Sequence, residues 1–290
     1  MSNAGKIFQK EKTEHPAALR RGIRVPHYTA YSITMIINDI EFYLVEIPRQ
    51  ADIGFRSLFV RLLSHNGLEG WGEAAVSWRQ DEIEPRRKQI LPILSGRSIF
   101  DLEELIHLEE LQPKALRFAV DMACWDMIGR LFKHPVCHFH GGEYRHHIPI
   151  IARLSGNSPE EYVRSAQEFS HLGYHWQTLP LSGNPDSDIK CITALLDTFA
   201  NRIDLRLDAS GKYDYSDCLS FLSHLEKKNI AMLIDPLNEE NGFYEASALQ
   251  EQTEIPIALR RGICSAGNVL EITKRGNIRR LVLDPQEFGS

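Results

Sequence analysis

Acidic and basic side chains follow three apolar, strand-like runs in the C-terminal half of the chain. The run IDLRLDASG carries Asp208, the run AMLIDPL carries Asp235, and the run IPIALRRG carries Arg260 and Arg261. Functional residues of parallel β/α folds lie where the strands end, so these four positions are the first candidates for a functional site. Arginines at such positions either grip a small carboxylate ligand or pair with the neighbouring acids. Both interpretations remain open at this point.

These runs belong to a repeat of strand, turn and helix. Alternating apolar and polar residues, a tight turn and a helix-length segment recur along the second half of the chain. Such a repeat predicts parallel strands that are connected by crossover helices. The predicted strands lie at residues 148–154, 176–181, 203–208, 231–237, 255–262 and 279–285. The charged residues in or next to these strands are Arg153, Arg206, Arg260, Arg261, Asp208, Asp235 and Asp284.

The composition is that of an ordinary globular protein, with 290 residues, 43% hydrophobic and 25% charged, and a formal net charge of −6. Basic residues are interspersed with acidic ones, which argues against a nucleic-acid partner. No apolar run is long enough to span a bilayer, and the first residues lack the apolar core of a secretory signal. The five cysteines are scattered without CxxC spacing, as in reduced proteins. We therefore expect a cytoplasmic protein with neither a membrane nor a nucleic-acid partner.

The first half of the chain predicts a polar tail followed by a small α+β unit. Residues 1–34 are polar and weakly periodic, whereas Met35 opens a clear strand, so residues 1–34 are interpreted as a dispensable extension. Two further strands flank the dipeptide Asn66-Gly67, which is a strong hairpin signal because both residues tolerate a positive φ. Helical segments follow. The segment from residue 118 is apolar nearly all round, which is typical of a buried helix.

Several motifs, taken in this order, resemble those of one superfamily. They are GWGEAA at residues 70–75, AVDMACWDMIGRLFKHPVCHFHGG at residues 119–142, LRLDASGKYD at residues 205–214, and the short runs IDPL and IPIAL. Together they resemble the enolase superfamily, in the branch of mandelate racemases and muconate-lactonizing enzymes. That branch also contains o-succinylbenzoate synthases and dipeptide epimerases. The resemblance extends from Met35 to the C-terminus.

The resemblance implies an α/β fold in which an N-terminal α+β capping domain covers a (β/α) barrel of the TIM type. The implied parts are an extension at residues 1–34, a capping domain at 35–117 and a barrel domain at 118–290. Only about six strand-helix units are predicted, fewer than the eight of a closed barrel, so the barrel is expected to be incomplete. The chain is then a fragment, an open barrel with two unpaired edges, or a unit that a further copy completes as a homo-oligomer.

The resemblance also implies a chemistry. In this superfamily three carboxylates at the ends of the third, fourth and fifth barrel strands hold Mg²⁺. The ion neutralises the substrate carboxylate while a Lys or His removes the proton α to it. Mg²⁺ is therefore the implied cofactor, and a small carboxylate is the implied ligand. The lysines that the family has on its second strand fall on Thr178 and Pro180, which accept no proton at neutral pH, and its sixth-strand lysine falls on Asp284.

The implied metal ligands match this sequence only in part. Asp208 matches the first ligand. The second falls on Ile234, and the neighbouring Asp235 is expected to point the other way because side chains alternate along a strand. The third falls on Arg260 or Arg261, whose positive charges repel a cation.

Two hypotheses follow from these matches and departures. The first is a degenerate homologue that lacks the Lys base and a complete Mg²⁺ site. The second is a divergent metal-dependent racemase, epimerase, cycloisomerase or dehydratase that abstracts the proton α to a carboxylate. The candidate metal ligands are Asp208 and Asp235, and the candidates for contact with a ligand are Asp284, Arg260 and Arg261.

Overall fold

The N-terminal part of the fold is an antiparallel sheet. A computed structural model describes residues 35–47, 55–200, 202–225, 228–238, 242–275 and 277–288, so the predicted extension at residues 1–34 lies outside the described residues. Strands β1 (Ile37–Ile47), β2 (Phe55–Ser64) and β3 (Glu69–Ala75) pair in that order. The predicted hairpin joins β2 to β3, and Gly67 takes a φ of 82° there. A tight turn of this kind requires such a positive φ.

Three helices cover one face of this sheet, namely α1 (Ile83–Leu94), α2 (Leu102–Ile106) and α3 (Lys114–Phe132). Short 3₁₀ turns lie at Gln80–Glu82 and Val136–His138. Helix α3 is buried, as its apolar sequence predicts, and its side chains share one hydrophobic core with β1, β2 and β3. This core contains large fully buried side chains, including those of Leu58, Leu62 and Met127. Burial of such side chains is the main force that holds the helix on the sheet.

Two glycines let β3 lie directly on the backbone of α3. A Cβ atom built on Gly72 would lie 1.9 Å from the carbonyl oxygen of Ala119, and one built on Gly70 would lie 2.1 Å from that of Ala123. Any side chain at these positions would therefore push the strand off the helix. The GWGEA motif is thus a packing motif, in which the glycines allow close contact between the strand and the helix.

The second sheet contains six parallel strands in the described residues, and they pair in chain order, which confirms the predicted repeat. The strands are β4 (Ile151–Arg153), β5 (Trp176–Pro180), β6 (Asp204–Asp208), β7 (Ile230–Ile234), β8 (Ile257–Leu259) and β9 (Arg280–Leu281). Each is followed by a helix, and these are α4 (Pro159–His171), α5 (Pro185–Phe199), α6 (Tyr215–Leu225), α7 (Gly242–Gln250), α8 (Ala266–Arg275) and α9 (Pro285–Phe288). The architecture is the predicted α/β fold with an N-terminal α+β unit.

The alternation of side chains along each parallel strand separates a helix-packed face from an inner face. On β6, Leu205 and Leu207 are buried in the core that the helices form, so Arg206 and Asp208 lie on the opposite face. We call this opposite face the inner face. The register places Arg153, Thr178 and Arg206 side by side across β4, β5 and β6 on the inner face.

The two parts of the fold contact each other through α9. This helix packs on α3, and Gln286 Oε1 accepts a hydrogen bond of 2.7 Å from the backbone N–H of Ala75 on β3. Helix α3 begins at Lys114 and packs in the core of the antiparallel sheet, so it runs through the predicted domain boundary between residues 117 and 118. The division into domains stays a prediction. None of the described helices combines the length and the apolar character that crossing a bilayer requires.

Candidate functional site

Asp208 lies at the C-terminal end of β6 and is the centre of a charged cluster. Its side chain is only 2% exposed. Its Oδ2 accepts hydrogen bonds from Arg153 Nη1 at 2.8 Å and from Arg260 Nη1 at 3.2 Å, and its Oδ1 accepts one from Arg260 Nη2 at 3.2 Å. The backbone N–H and the hydroxyl of Ser210 also donate to Oδ1, at 3.1 and 2.9 Å. The carboxylate is therefore fully engaged by protein donors.

These donors decide the protonation state of Asp208. Burial raises the pKa of this carboxyl, but the hydrogen bonds from Arg153, Ser210 and Arg260 outweigh burial and hold the pKa below its usual value. Asp208 is thus an anion throughout the neutral range. It supplies the negative charge around which the two arginines are arranged.

Asp235 follows β7 and joins the same cluster, which corrects the expectation that its side chain points the other way. Its φ is 44°, in the left-handed region, so the chain leaves the extended conformation there and the alternation of side chains no longer applies. Its Oδ1 accepts hydrogen bonds from the backbone N–H groups of Arg260 at 2.7 Å and Arg261 at 3.2 Å. Its Oδ2 lies 3.3 Å from Arg260 Nε, outside hydrogen-bond geometry.

The pKa of Asp235 shifts in the direction opposite to that of Asp208. Burial raises it, the backbone N–H groups of Arg260 and Arg261 lower it, the nearby Arg260 charge lowers it further, and the negative charge of Asp208 raises it. The net effect is a raised pKa. The two carboxyls of the cluster are therefore unequal, because Asp208 carries a stabilised charge and Asp235 a disfavoured one.

Replacing Asp235 by asparagine is expected to leave the folded state as stable as before, or slightly more stable, at neutral pH, within about 1 kcal/mol. Asparagine keeps the Oδ1 acceptor for both backbone N–H groups and removes a charge that burial disfavours. Because the folded-state pKa is raised, protonation of Asp235 stabilises the fold, and this stability is lost as pH rises through that pKa. The gain of D235N should shrink as pH falls through that raised pKa and should be absent below about pH 4, where the unfolded carboxyl is protonated too. Urea unfolding across pH measures this, and a large loss at neutral pH would refute it.

The guanidinium of Arg260 lies between the two acids, and this arrangement bears on the implied Mg²⁺. Its Nη atoms bond to Asp208, while its Nε faces Asp235. A fixed cation therefore takes the space that a metal between these carboxylates needs, and like charges repel. Among the described residues, no group of three or more His, Cys, Asp or Glu side chains converges as a metal site. The residues present do not fit Mg²⁺.

The other candidates lie at the rim of the cluster. Arg261 Nη1 donates a hydrogen bond of 2.7 Å to the carbonyl oxygen of Ser210. The next residue, Gly211, has a positive φ of 73°. Arg260, Arg261 and Asp284 line one groove of about 300 Å³. Asp284 Oδ1 accepts a hydrogen bond from the backbone N–H of Gln286 at 3.0 Å, so this carboxylate caps the start of α9. Asp284 thus lies beside the arginines without belonging to the Asp208 cluster.

Two residues of the site were not predicted as such. Ser210 binds Asp208 from two positions further along the chain, in an arrangement that the Asp-Ala-Ser-Gly turn could have indicated. Lys212 donates from Nζ to the carbonyl oxygen of Leu181 at 2.7 Å and so ties the turn after β6 to the end of β5. Its position carried no distinctive pattern in the sequence.

Comparison with known proteins finds one family model and several enzymes whose sequences are similar to this chain. Residues 161–290 match the family model described as "Enolase C-terminal domain-like". The chain is 25% identical over 261 residues to an N-succinyl-L-Arg/Lys racemase of Bacillus cereus, an alignment that covers 83% of this chain and 70% of the racemase. It is 23% identical over 223 residues to a D-galactonate dehydratase of Pectobacterium atrosepticum, with 70% of this chain and 57% of the dehydratase covered.

Solved structures give the same fold. A dipeptide epimerase from Enterococcus faecalis superposes with a TM-score of 0.80 at 20% identity, covering 88% of this chain and 76% of the epimerase. A muconate cycloisomerase from Pseudomonas fluorescens superposes with a TM-score of 0.77 at 19% identity, covering 88% of this chain and 73% of the cycloisomerase. The matched C-terminal segment, the racemase and dehydratase relatives and the shared fold all make the chain similar to the enolase superfamily, in the branch of mandelate racemases and muconate-lactonizing enzymes.

Proposed function

We propose that this chain is a degenerate member of the superfamily that binds a small carboxylate through arginines, without a metal ion and without proton abstraction. The observation that carries the proposal is the Arg260 guanidinium, which lies between Asp208 and Asp235. Together with Arg153, this built-in cation balances the charges of the two acids. Neither acid is then free to hold a divalent ion.

The end of β5 supports the same proposal. The proton α to a carboxylate is a very weak acid, so its removal needs both a base and a cation to stabilise the product anion. The residues at the end of β5 on the inner face are Thr178 and Pro180, and neither is a base at neutral pH. Thr178 is also almost entirely buried.

The balance of charge around the cluster favours an anionic ligand. Two cationic side chains, those of Arg153 and Arg260, face the two carboxylates of the cluster, and the pKa of one of these, Asp235, is raised. Arg153 is 58% exposed and bonds to Asp208 through Nη1 alone within the described part of the chain. Its remaining N–H groups can donate to a carboxylate in the two-bond geometry that guanidinium groups favour.

Calorimetry and proton exchange test the proposal together. Titration with Mg²⁺ or Mn²⁺ should give no heat above that of buffer, and NMR in D₂O should detect no exchange of the α-proton in a panel of carboxylates. At least one carboxylate of the panel should bind, and Arg153→Gln should weaken it about tenfold or more, because a charge-assisted hydrogen bond is lost. The matched control is Arg164→Gln on the exposed surface of α4, which should bind normally. Absence of carboxylate binding would refute the proposal.

A divergent metal-dependent racemase, epimerase, cycloisomerase or dehydratase is the second candidate. It is favoured by the curated relatives, which are a racemase and a dehydratase. The same experiments separate the two candidates. Metal binding that depends on Asp208, together with α-proton exchange, would establish the enzyme and exclude the metal-free binding protein.

A further inference from the structure

A further arginine on the inner face, Arg206, has no anionic partner among the described residues. Arg206 lies in the middle of β6, and its guanidinium carbon stacks over the ring of Trp176 at 4.8 Å from the ring centroid. Its Nε is buried without a hydrogen-bond partner, and the guanidinium forms no ion pair with any described residue. Stacking fixes the plane of the guanidinium and leaves its N–H edge to donate elsewhere.

Other arginines that stack on tryptophan in this protein do have carboxylate partners. Arg61 stacks over Trp71 and pairs with two glutamates, and Arg86 stacks over Trp78 and pairs with Glu82 at 3.0 Å. Both of these arginines therefore combine stacking on a tryptophan with an ion pair to a carboxylate. Arg206 is the exception among these three stacked arginines in the described residues.

A second cation lies close to Arg206. Arg280 on β9 extends across the inner face and donates from Nη1 to the carbonyl oxygen of Ala231 on β7, the strand next to β6. Burial lowers the pKa of Arg206, the charge of Arg280 lowers it further, and Asp204 opposes both. Asp204 acts on Arg206 through its charge, without an ion pair to either guanidinium within the described part of the chain. Two neighbouring positive charges create a positive electrostatic potential, which favours the binding of an anion between them.

We propose that Arg206 and Arg280 form a second anion site on the inner face, which takes an oxyanion, either a phosphate or a carboxylate group. Two guanidinium groups offer planar pairs of N–H donors that match the oxygens of both groups. Trp176 holds one of the guanidinium groups in place. The site is separate from the Asp208 cluster, because neither Arg206 nor Arg280 bonds to Asp208. It does not depend on the proposed function.

Titration of the full chain with inorganic phosphate and, separately, with acetate tests this site. Calorimetry at constant ionic strength, with chloride as the reference anion, should detect one of the two anions binding to the parent chain. Arg206→Gln and Arg280→Gln should each raise its dissociation constant about tenfold or more, because each removes charge-assisted hydrogen bonds. Tighter phosphate binding identifies a phosphoryl group as the natural ligand group, and tighter acetate binding identifies a carboxylate.

The matched control is Arg202→Gln. Arg202 also stacks on an aromatic ring, that of Phe199 at 5.9 Å, but it donates to the carbonyl oxygens of Phe199 and Thr198 on the helix-packed side. This variant should bind the anion like the parent chain, because Arg202 lies outside the proposed site. If Arg206→Gln does not fold, Arg280→Gln decides alone. Binding that neither variant weakens, or no binding to the parent chain, would overturn the proposal.

Discussion

Replacing Gly72 by alanine is expected to lower the free energy of unfolding by about 3 kcal/mol or more, at the upper end of what overpacking usually costs. The added Cβ would lie 1.9 Å from the carbonyl oxygen of Ala119, which is little more than half of the distance of an ordinary contact between carbon and oxygen. The neighbouring atoms belong to the backbone of α3, so no side chain can rotate away. The strand must move off the helix, and the buried core between them must open. For a chain of this size, the melting temperature should fall by about 6–12 °C.

The matched control for this change is Gly267→Ala. Gly267 lies in α8, and a Cβ there would meet only Ser265 Oγ at 3.5 Å, which is an ordinary contact. Alanine also has the higher helix propensity, so this variant should be as stable as the parent chain or slightly more so. Thermal unfolding followed by circular dichroism measures both variants. Equal melting temperatures for G72A and G267A would show that β3 does not lie on α3 as closely as described.

The repeat of strands and helices could be predicted from the sequence because its causes are local. Alternating apolar residues marked β6, and the Asn66-Gly67 turn marked the hairpin, where Gly67 does take a positive φ. Periodicity, turn residues and helix caps act over a few residues, so a single sequence contains all of the information that they need.

The arrangement of the site could not be predicted in the same way, since it depends on distant residues and on one backbone angle. Arg153 and Asp208 are 55 positions apart, and only the register of β4, β5 and β6 brings them together. Asp235 was expected to point away because the strand was assumed to continue, whereas its φ of 44° turns its side chain towards Arg260. The sequence around Asp235 contains no signal for a positive φ, although Asp adopts one more readily than most residues do.

Replacing Arg260 by glutamine should destabilise the fold at neutral pH by about 3 kcal/mol, the lower end of the cost of removing one partner from a buried ion pair. The lower end is appropriate because Arg260 is itself 33% exposed and therefore partly screened by solvent. Asp208 and Asp235 are 2% and 3% exposed, and both would lose the cation that lies between them. Asp208 would keep Arg153 and Ser210, whereas the side chain of Asp235 would keep, among the described residues, only the backbone N–H groups of residues 260 and 261.

The loss should depend on pH in a definite direction. In the parent chain, the lowered pKa of Asp208 stabilises the fold above the unfolded pKa of about 4, and this stability is lost as pH falls through the folded pKa. Without Arg260, the pKa values of both acids rise, so the charged forms are disfavoured by folding. The cost of R260Q should therefore be greatest at neutral pH and should shrink as both acids become protonated.

The double variant R260Q/D235N isolates the electrostatic part of this loss. It removes the negative charge of Asp235, keeps the Oδ1 acceptor at that position and leaves Asp208 as the remaining acid. The double variant should therefore recover a substantial part of the stability that R260Q loses, whereas D235N alone changes little. The exposed Arg164→Gln serves as the control for loss of an arginine charge as such. Urea unfolding of the four variants between acidic and neutral pH gives the comparison. A cost of R260Q that is independent of pH, or that D235N does not reduce, would mean that Arg260 acts through packing and not as the built-in cation of this site.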